Sequence, residues 1–327
     1  MDILTATSLA TFRACPRKFY LRYQLAWSKI RLADALRFGS AYHAGLEAYN
    51  VTGDVEQAVA AATKGYAVVP DWSNAESWAE EAVDVEELVR GHVWRYGMDT
   101  AKPVEAERVF VMPLVNPETG RPSKTFQLRG KMDLISELEP MRLALNEYKT
   151  CDDDVSDASD YWPRVRFDQQ ISLYTIAARY IGYDVQTVLY DVARKPRIGR
   201  RTKRNPETLA EYQARLRDDI QTRPEFYYNR KECPRLASDL ADIASELWQQ
   251  AQAIQHARKF GLWYRNVSKN SCTWCEYREN CLDNRTIEPN RPWDGFVKLN
   301  TFHPELETEN ASTDVTPAAP ASTASCA

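Results

Sequence analysis

Between Val104 and Thr150 the chain carries three strand-like segments in immediate succession: VEAERVFVMPL, TFQLRGKMDLISEL and RLALNEYKT. These segments are rich in residues that favour strands, and the intervening NPETGRPS and Glu139-Pro140 are turn signals. Successive strands joined by short turns favour an antiparallel meander. This segment commits the chain to a sheet, so the rest of the fold has to be arranged around it.

Helical periodicity dominates the chain on both sides of these strands, and Ser8 is expected to cap a short first helix. The segment DQQISLYTIAARYIG has helical spacing, and DVQTVLYDVA after it reads as a further strand. Other helices are predicted at about 39–49, 55–66, 75–96, 207–222 and 235–260. The pattern predicts an α/β (mixed α+β) fold with a central mixed sheet flanked by helices.

The charge balance limits the partners that such a fold can have. The 327 residues carry a formal net charge of -4, which excludes a uniformly basic nucleic-acid-binding protein. Any site for a polyanion must therefore be a local patch. No apolar run approaches the ~20 residues that cross a bilayer, and the N-terminus lacks the order of a secretory signal. We therefore expect no membrane partner and a cytoplasmic location.

The composition also divides the chain into four segments. We expect an N-terminal helical region at 1–103, a sheet-and-helix core with a basic loop at 104–205, and a C-terminal helical region with a cysteine cluster at 206–303. The last segment, 304–327, is too poor in apolar residues to offset the entropy of ordering, so we expect it to be disordered.

Two carboxylates and a lysine are predicted to meet on the central strands. Side chains at i and i+2 share one face of a strand, so Glu147 and Lys149 project together, and Asp133 on the preceding strand can reach the same place. Two carboxylates are what Mg²⁺ needs from a protein when water and a substrate phosphate complete its shell. Taken alone, a Glu-x-Lys on a strand also fits a solvated pair of charges.

Three further side chains fit the same site but have equally simple structural readings. His43 lies on a predicted helix, four positions after Gly39, and a lone histidine is more often structural. Gln170 and Tyr174 stand at i, i+4 on the helix after the Glu-x-Lys strand, so both can point one way. A surface glutamine beside a core tyrosine would explain that pair as well.

The segment SCTWCEYRENC places Cys272, Cys275 and Cys281 within eleven residues. The chain has seven cysteines, an odd number, and in a reducing compartment such clustering favours metal ligation over a disulfide framework. Three thiolates leave a tetrahedral site one ligand short, and four would suit either a 4Fe-4S cluster or structural zinc.

Taken in order, these motifs resemble a known series. Gly39-x-x-x-His43, Gly130-x-x-Asp133, Glu147-x-Lys149 and Gln170-x-x-x-Tyr174 resemble the motifs of the PD-(D/E)XK nuclease superfamily, in its RecB-like exonuclease branch, over about residues 5 to 285. That branch also contains CRISPR adaptation nucleases and phage recombination exonucleases. The residue before Asp133 is Met132 rather than proline, a departure that is common in the branch.

The resemblance implies roles for the motif residues. His43, Asp133 and Glu147 would bind the catalytic Mg²⁺ or Mn²⁺, and Lys149 would assist the hydrolytic water. Gln170 and Tyr174 would support the catalytic site or contact DNA. The resemblance also implies a restriction-endonuclease-like core.

The resemblance also supplies a fourth ligand for the cysteine cluster. In iron–sulfur members of the branch, one cysteine lies near the N-terminus in a Cys-Pro pair, which here is Cys15-Pro16. Cys15 also stands at a predicted helix start, where backbone N–H groups favour a thiolate. A 4Fe-4S cluster on Cys15, Cys272, Cys275 and Cys281 is therefore expected, with zinc as the alternative, and Trp274 is expected to pack over it.

A basic loop is the expected contact with DNA phosphates. Its seven cations are Arg194, Lys195, Arg197, Arg200, Arg201, Lys203 and Arg204. A solvated loop is the alternative reading. Four more cations, Arg13, Arg17, Lys18 and Arg22, surround Cys15 and predict a second positive surface.

Together these features predict a metal-dependent DNA exonuclease with a structural 4Fe-4S cluster, acting in recombination, repair or end processing. A recombination or CRISPR adaptation partner is expected, and a phage-encoded chain would act in the bacterial host cytoplasm. Two alternatives remain open: a non-catalytic DNA-binding adaptor of the same fold, and a zinc-stapled, redox-sensing protein.

Overall fold

The computed structural model describes residues 1–30, 34–99, 101–303 and 306. The strands are β1 (Asp2–Leu4), β2 (Trp27–Lys29), β3 (Lys102–Val115), β4 (Pro122–Glu139), β5 (Arg142–Cys151), β6 (Val185–Arg194), β7 (Tyr228–Glu232) and β8 (Phe296–Lys298). The predicted disordered tail lies outside the described residues, apart from Leu306.

The helices surround these strands along the chain. They are α1 (Ala6–Ala14), α2 (Pro16–Phe19), α3 (Asp34–Thr52), α4 (Val55–Thr63), α5 (Ala75–Tyr96), α6 (Tyr161–Val165), α7 (Gln169–Tyr180), α8 (Leu209–Thr222), α9 (Pro224–Tyr227), α10 (Ala237–Phe260), α11 (Lys269–Thr273) and α12 (Arg278–Leu282). A π-helical turn covers Tyr20–Gln24 and a 3-10 turn covers Lys64–Tyr66. Among the helices of the described chain, none has a long enough apolar stretch to traverse a bilayer.

Strand β4 organises the main six-stranded sheet. Along one edge it pairs antiparallel with β3. Its other edge is shared, because β1 runs parallel to Phe126–Leu128 and β5 runs antiparallel to β4 from Leu134 onward. Beyond β5 the order continues with β6, which is parallel to β5, and β7, which is antiparallel to β6. Residues 129–133 thus lie between two partners on the shared edge of β4.

Helices cover both faces of this sheet, each over its own apolar core. On one face, Leu9 of α1, Ile171 of α7 and Ala251 of α10 pack with Leu145 of β5. On the other face, Tyr42 of α3, Leu88 of α5 and Leu216 of α8 pack with Tyr148 of β5. Side chains that alternate along β5 therefore pack into the two cores on opposite faces of the sheet, as expected for a strand that is buried on both sides.

The two ends of the described chain meet in a smaller unit. Strands β2 and β8 form a separate antiparallel pair, and Leu21, Trp27, Tyr277 and Phe296 build a third apolar cluster beside it. The Tyr277 hydroxyl donates a hydrogen bond to the carbonyl of Trp27. This cluster brings the segment after Cys15 close to the C-terminal cysteine segment.

The predicted α/β class with a central mixed sheet is confirmed, as are the β3–β4–β5 meander and the long helices. Two details were wrong. The cap of α1 is Thr5, and Ser8 sits inside the helix as the reciprocal member of a capping box. The N-terminal segment also contains β1 and β2, which are only three residues long and too short for a period of two to stand out.

Candidate active site

The candidate site lies where β5 separates from β4. The last paired residues of the two strands are Leu134 and Asn146. Their neighbours Asp133 and Glu147 therefore lie just outside the ladder. Beyond that point the β4–β5 ladder does not continue, so the backbone N–H of Tyr148 is not bonded to a backbone carbonyl of β4. It donates instead to Asp133 Oδ2 at 2.9 Å, which anchors that carboxylate beside β5. The separation of the strands thus opens a space and fixes one acidic side chain at its edge.

Glu147 is the most buried acid of the site, with 1% of its surface exposed. Its Oε1 accepts a hydrogen bond from Gln170 Nε2 at 2.7 Å and contacts the ammonium of Lys149. Its Oε2 is buried and has no hydrogen-bond partner. An unsatisfied buried carboxylate oxygen costs about 1–3 kcal/mol or more, so a cation at this oxygen would remove a real penalty.

Lys149 and Gln170 form a short chain of contacts with this acid. Lys149 Nζ donates to Gln170 Oε1 at 3.2 Å, while the amide nitrogen of Gln170 reaches Glu147. Gln170 is placed by the first turn of α7, where Asp168 caps the helix and accepts from the Gln170 backbone N–H at 2.8 Å. Glu147, Lys149 and Gln170 therefore contact one another in the structure.

His43 approaches the same place from α3. Its Nδ1 lies 3.6 Å from Asp133 Oδ1, and its side chain is 32% exposed. The glycine four positions earlier lets α3 approach the end of β5, because a Cβ on Gly39 would lie 3.3 Å from Thr150 Oγ1. The pattern Gly-x-x-x-His therefore has a packing reason: the glycine sets the distance from which the histidine reaches the carboxylates.

Tyr174 lies one turn after Gln170 and has a different environment. It is 7% exposed, and its ring packs edge-on against Phe110 with centroids 5.5 Å apart. A Cβ on Gly130 would lie 2.7 Å from Phe110 and 2.9 Å from Tyr174. Gly130 therefore leaves room for two aromatic rings behind the catalytic strands, and Tyr174 belongs to that packing.

Burial and mutual charge shift the protonation of the site in opposite directions. Burial raises the pKa of Glu147 to about 7, and the nearby Asp133 charge adds to the rise despite the opposing effect of Lys149. Burial also acts to raise the pKa of Asp133, but His43, Lys149 and the Tyr148 N–H outweigh it, so this pKa is lowered. Desolvation alone would lower the pKa of Lys149, yet Glu147 and Asp133 raise it above its usual value. Asp133 is the carboxylate that is most firmly ionised.

The side chains fit a hard divalent cation in their chemistry. In the arrangement of the described chain, no three or more His, Cys, Asp or Glu side chains stand close enough together to hold a metal ion. The Glu147 Oε2 without a partner and the ionised Asp133 are nevertheless oxygen donors of the kind that Mg²⁺ or Mn²⁺ prefers, and the imidazole of His43 beside them is a softer nitrogen donor.

Sequence reasoning missed a second charged pair beside Asp133. Glu107 faces Asp133 across the β3–β4 ladder, since the flanking residues Ala106 and Arg108 pair with Leu134 and Met132. Its φ is 52°, a left-handed conformation that is unusual for a glutamate within a strand. Its carboxylate contacts the ammonium of Lys131, and burial raises its pKa to about 7. A positive φ cannot be predicted from a sequence pattern. Lys131 could have been predicted to lie beside Asp133, because residues two apart share one face of a strand.

The four cysteines Cys15, Cys272, Cys275 and Cys281, named here the cysteine clasp, belong to the two chain ends that meet in the smaller unit, although within the described residues no three of them stand close enough together to hold a metal ion. The carbonyl of Ala14 accepts hydrogen bonds from Asn266 Nδ2 at 3.0 Å and Ser271 Oγ at 3.1 Å. Cys15 directly follows Ala14 in the sequence, and Cys272 directly follows Ser271. Burial raises the pKa of the Cys275 thiol, and the nearby Cys15 adds to the effect. All six cysteines of the described chain are free thiols.

Trp274, which is expected to pack over the cluster, is 89% exposed in the protein alone, so its packing over a cluster stays a prediction. It follows Cys272 by two residues at the C-terminal end of α11. Neither α11 nor α12 contains a buried residue. The segment is anchored instead by Tyr277, which lies between the two helices and packs in the third apolar cluster, and by hydrogen bonds.

Most cations of the predicted DNA loop are already engaged by carboxylates or carbonyls. Arg200 Nε donates to Glu80 Oε1 at 2.7 Å, and Arg201 lies 3.5 Å from Glu207. The others among the first five behave alike: Arg194 pairs with Asp154, Lys195 with Asp152, and Arg197 with the carbonyl of Asp152. Lys203 and Arg204 are exposed and, within the described residues, form no ion pair.

Comparisons with known proteins were made for the whole chain. The model of the PD-(D/E)XK nuclease superfamily matches residues 3–282. No curated protein matches the chain. Among solved structures, the chain is similar to a "Putative exonuclease" from Eubacterium rectale, with 12% identity, a TM-score of 0.47, and coverage of 89% of this chain and 91% of that one.

A second solved structure, that of SSO0001, matches with 12% identity, a TM-score of 0.38, and coverage of 87% of this chain and 88% of that one. At this identity both likenesses concern the fold alone. The family match is different in kind, because it spans the sheet, the carboxylate site and both ends of the cysteine clasp. The chain belongs to the PD-(D/E)XK nuclease superfamily, whose members use divalent metals and whose substrate is DNA.

Proposed function

We propose that the protein is a divalent-metal-dependent DNA exonuclease that carries a structural 4Fe-4S cluster. The observation that carries the catalytic part is the buried, unpartnered Oε2 of Glu147, which stands beside Asp133, His43 and Lys149. A merely structural glutamate would be expected to have both oxygens satisfied. An oxygen kept free in a polar, partly open site suits an acid that awaits a cation.

The residues divide the work of phosphodiester hydrolysis between them. Asp133, Glu147 and His43 would hold Mg²⁺ or Mn²⁺, which when bound supplies Lewis-acid stabilisation of charge on the scissile phosphate. Lys149 lies at the mouth of the site with 28% of its side chain exposed, and its ammonium can orient the attacking water and offset charge on the phosphate oxygens. Gln170 holds the ammonium in place from α7. Tyr174 supports the site through the packing of Gly130 and Phe110.

The cysteine clasp would hold the cluster. Its donor set, four thiols from two chain ends, suits 4Fe-4S or zinc. The hydrogen bonds that both Asn266 and Ser271 donate to Ala14 favour a shared site, because they bring the chain beside Cys15 and Cys272 together. We favour iron because of the resemblance to iron–sulfur nucleases of the RecB-like branch. Iron and zinc analysis of anaerobically purified protein, with a visible spectrum, decides between them.

DNA phosphates would be contacted by the basic loop through Lys203 and Arg204, with the paired cations Arg194, Lys195, Arg197, Arg200 and Arg201 exchanging partners on binding. The biological setting that we propose is recombination, repair or end processing, with a recombination or CRISPR adaptation protein as partner. A non-catalytic adaptor is less well supported, because the complete set of His43, Asp133, Glu147 and Lys149 is present.

Digestion of end-labelled DNA tests the proposal. Linear single- and double-stranded DNA, labelled at the 5′ or 3′ end, and a closed circle are incubated with Mg²⁺ or Mn²⁺. An exonuclease releases nucleotides from the linear substrates and leaves the circle intact. Cleavage of the circle would replace the exonuclease by an endonuclease, and absence of any hydrolysis would favour the adaptor.

A further inference from the structure

The face of β4 that carries Asp133 continues away from the catalytic site as a polar stripe. Along the strand, even-numbered residues from Phe126 to Met132 are buried, whereas odd-numbered residues from Gln127 to Asp133 are partly exposed. Arg129 and Lys131 therefore share the face of Asp133, at steps of about 7 Å along the strand. That step is similar to the spacing of neighbouring phosphates in an extended nucleic-acid strand.

The surroundings of Arg129 contain little that would neutralise it. Its cross-strand neighbour on β3 is Val111, which is 48% exposed, and on the other edge of β4 it lies between the ends of β1 and β5. Within the described chain Arg129 forms no ion pair, and its Nε is buried without a hydrogen-bond partner. The buried Nε is out of reach of a phosphate, but the side chain is partly exposed and no acceptor within the described residues is bonded to its two terminal nitrogens, which are therefore open to an anion.

Lys131 occupies the position between Arg129 and the catalytic acid. Its ammonium contacts the carboxylate of Glu107, which faces Asp133 across the β3–β4 ladder. An anionic substrate that approaches Asp133, Glu147 and Glu107 meets three acids at close quarters. Lys131 reduces this repulsion at the place where a phosphate would have to pass.

We infer that Arg129 and Lys131 bind consecutive phosphates of the DNA strand that enters the active site, along the open face of β4. This inference rests on the proposed function and adds a substrate track to it. The track differs from the basic loop at Arg129, which has no ion pair within the described residues, whereas Lys131 is paired with Glu107 much as Arg194, Arg200 and Arg201 are paired with acids. In the sequence the track reads R-x-K-x-D, from Arg129 to Asp133. This pattern indicates a phosphate-binding surface only when the burial along β4 shows that this face of the strand is partly exposed.

The test separates binding from catalysis. Arg129→Gln, Lys131→Gln and the double variant are compared with the wild type by fluorescence anisotropy of a short labelled DNA strand without added Mg²⁺ or Mn²⁺ and without chelator, over a range of salt concentrations. The matched control is Lys124→Gln, on the same strand but at an exposed even-numbered position. We expect each stripe variant to weaken binding several-fold and to reduce the slope of log K against log salt by about 0.7, the value for one single-strand phosphate contact.

Kinetics add a readout that a structural defect would not give. Arg129→Gln should raise KM for DNA and leave kcat within about twofold of the wild type, because the phosphate contact is equally strong in the bound substrate and in the transition state. Lys131→Arg keeps the positive charge and should therefore bind DNA nearly as well as the wild type, unlike Lys131→Gln. An unchanged salt slope in the double variant overturns the track even if the wild type degrades DNA. A reduced slope supports the track even if no hydrolysis is seen. Absence of hydrolysis would count against the exonuclease and not against the track. A wild type that binds no DNA overturns both.

Discussion

The carboxylate site and the cysteine clasp differ in what holds them together. Glu147 and Asp133 stand on central strands whose register and two apolar cores fix them before any ligand arrives. The clasp draws on residues 257 positions apart, and its surroundings are two short helices without a buried residue of their own, the buried Tyr277 between them and hydrogen bonds to Ala14. The first site is built by folding, whereas the second is expected to need its ligand for full stability.

This difference predicts separable consequences. Losing a charge in the carboxylate site should cost catalysis and little stability, since the sheet remains. Loss of a thiol in the clasp should cost metal and local order, with the carboxylates left in place. Each of the following changes tests one side of that contrast.

The largest effect is expected from Asp133→Asn. The amide oxygen can still accept the Tyr148 N–H, so the free energy of unfolding should change by less than about 1 kcal/mol. The lost charge should lower kcat/KM for DNA hydrolysis by about 10³-fold. Hydrolysis of labelled linear DNA and urea unfolding measure the two. Asp152→Asn, in the exposed loop after β5, is the control and should retain activity. Wild-type hydrolysis by Asp133→Asn would remove this residue from the mechanism.

Next in size is the effect of Cys275→Ser on the clasp. The variant should lose most of its iron or zinc, and the amides of α11 and α12 should exchange faster with deuterium, because the ligand no longer ties them to Cys15. Metal analysis and hydrogen exchange are the measurements. Cys233→Ser offers a matched half-buried thiol outside the clasp and should keep its metal. Equal metal content in the two variants would mean that the clasp is not the metal site.

A smaller loss is expected from Gly130→Ala, which concerns the packing behind the carboxylates. The new methyl would meet Phe110 and Tyr174 at under 3 Å, so the free energy of unfolding should fall by about 1–3 kcal/mol. Urea titration measures it. Gly199→Ala, where a Cβ meets nothing within 4 Å, should change stability much less. An unaltered midpoint for Gly130→Ala would mean that the rings can move aside freely.

The smallest effect belongs to Asn266→Ala. It removes one exposed hydrogen bond to Ala14, which contributes about 0.5–1 kcal/mol. Once metal is bound, this loss should hardly alter the thermal midpoint, whereas it should be visible in the metal-free protein. Calorimetric scans with and without chelator test the point. An equal loss in both states would show that hydrogen bonds, and not a ligand, hold the clasp.

Much of the catalytic region could be predicted from the sequence because its signals are local. The period of two in β4 and β5 placed Glu147 with Lys149, and the turn at Glu139-Pro140 brought Asp133 opposite them. The helical period in α7 placed Gln170 on the same face as Tyr174, although the cap Asp168 was not predicted. These are short-range relations, which a single sequence records.

The remainder depends on relations that a sequence does not record. The shared edge of β4, with β1 and β5 on either side of Arg129, arises from a parallel pairing across more than 120 residues. The left-handed Glu107 is visible only in the backbone. The pairing of the basic loop with Glu80 and Glu207 was missed because charge runs reveal nothing about their neighbours in space.

The central claim is that the carboxylate of Glu147, whose Oε2 lacks a partner within the described residues, belongs to a metal-dependent nuclease site. Hydrolysis of linear DNA by wild type and Glu147→Gln across a Mn²⁺ titration tests it most directly. The account predicts metal-dependent hydrolysis by the wild type and a loss of about 10³-fold or more in the variant, which high Mn²⁺ does not restore. Equal hydrolysis by the two proteins at every Mn²⁺ concentration would contradict it.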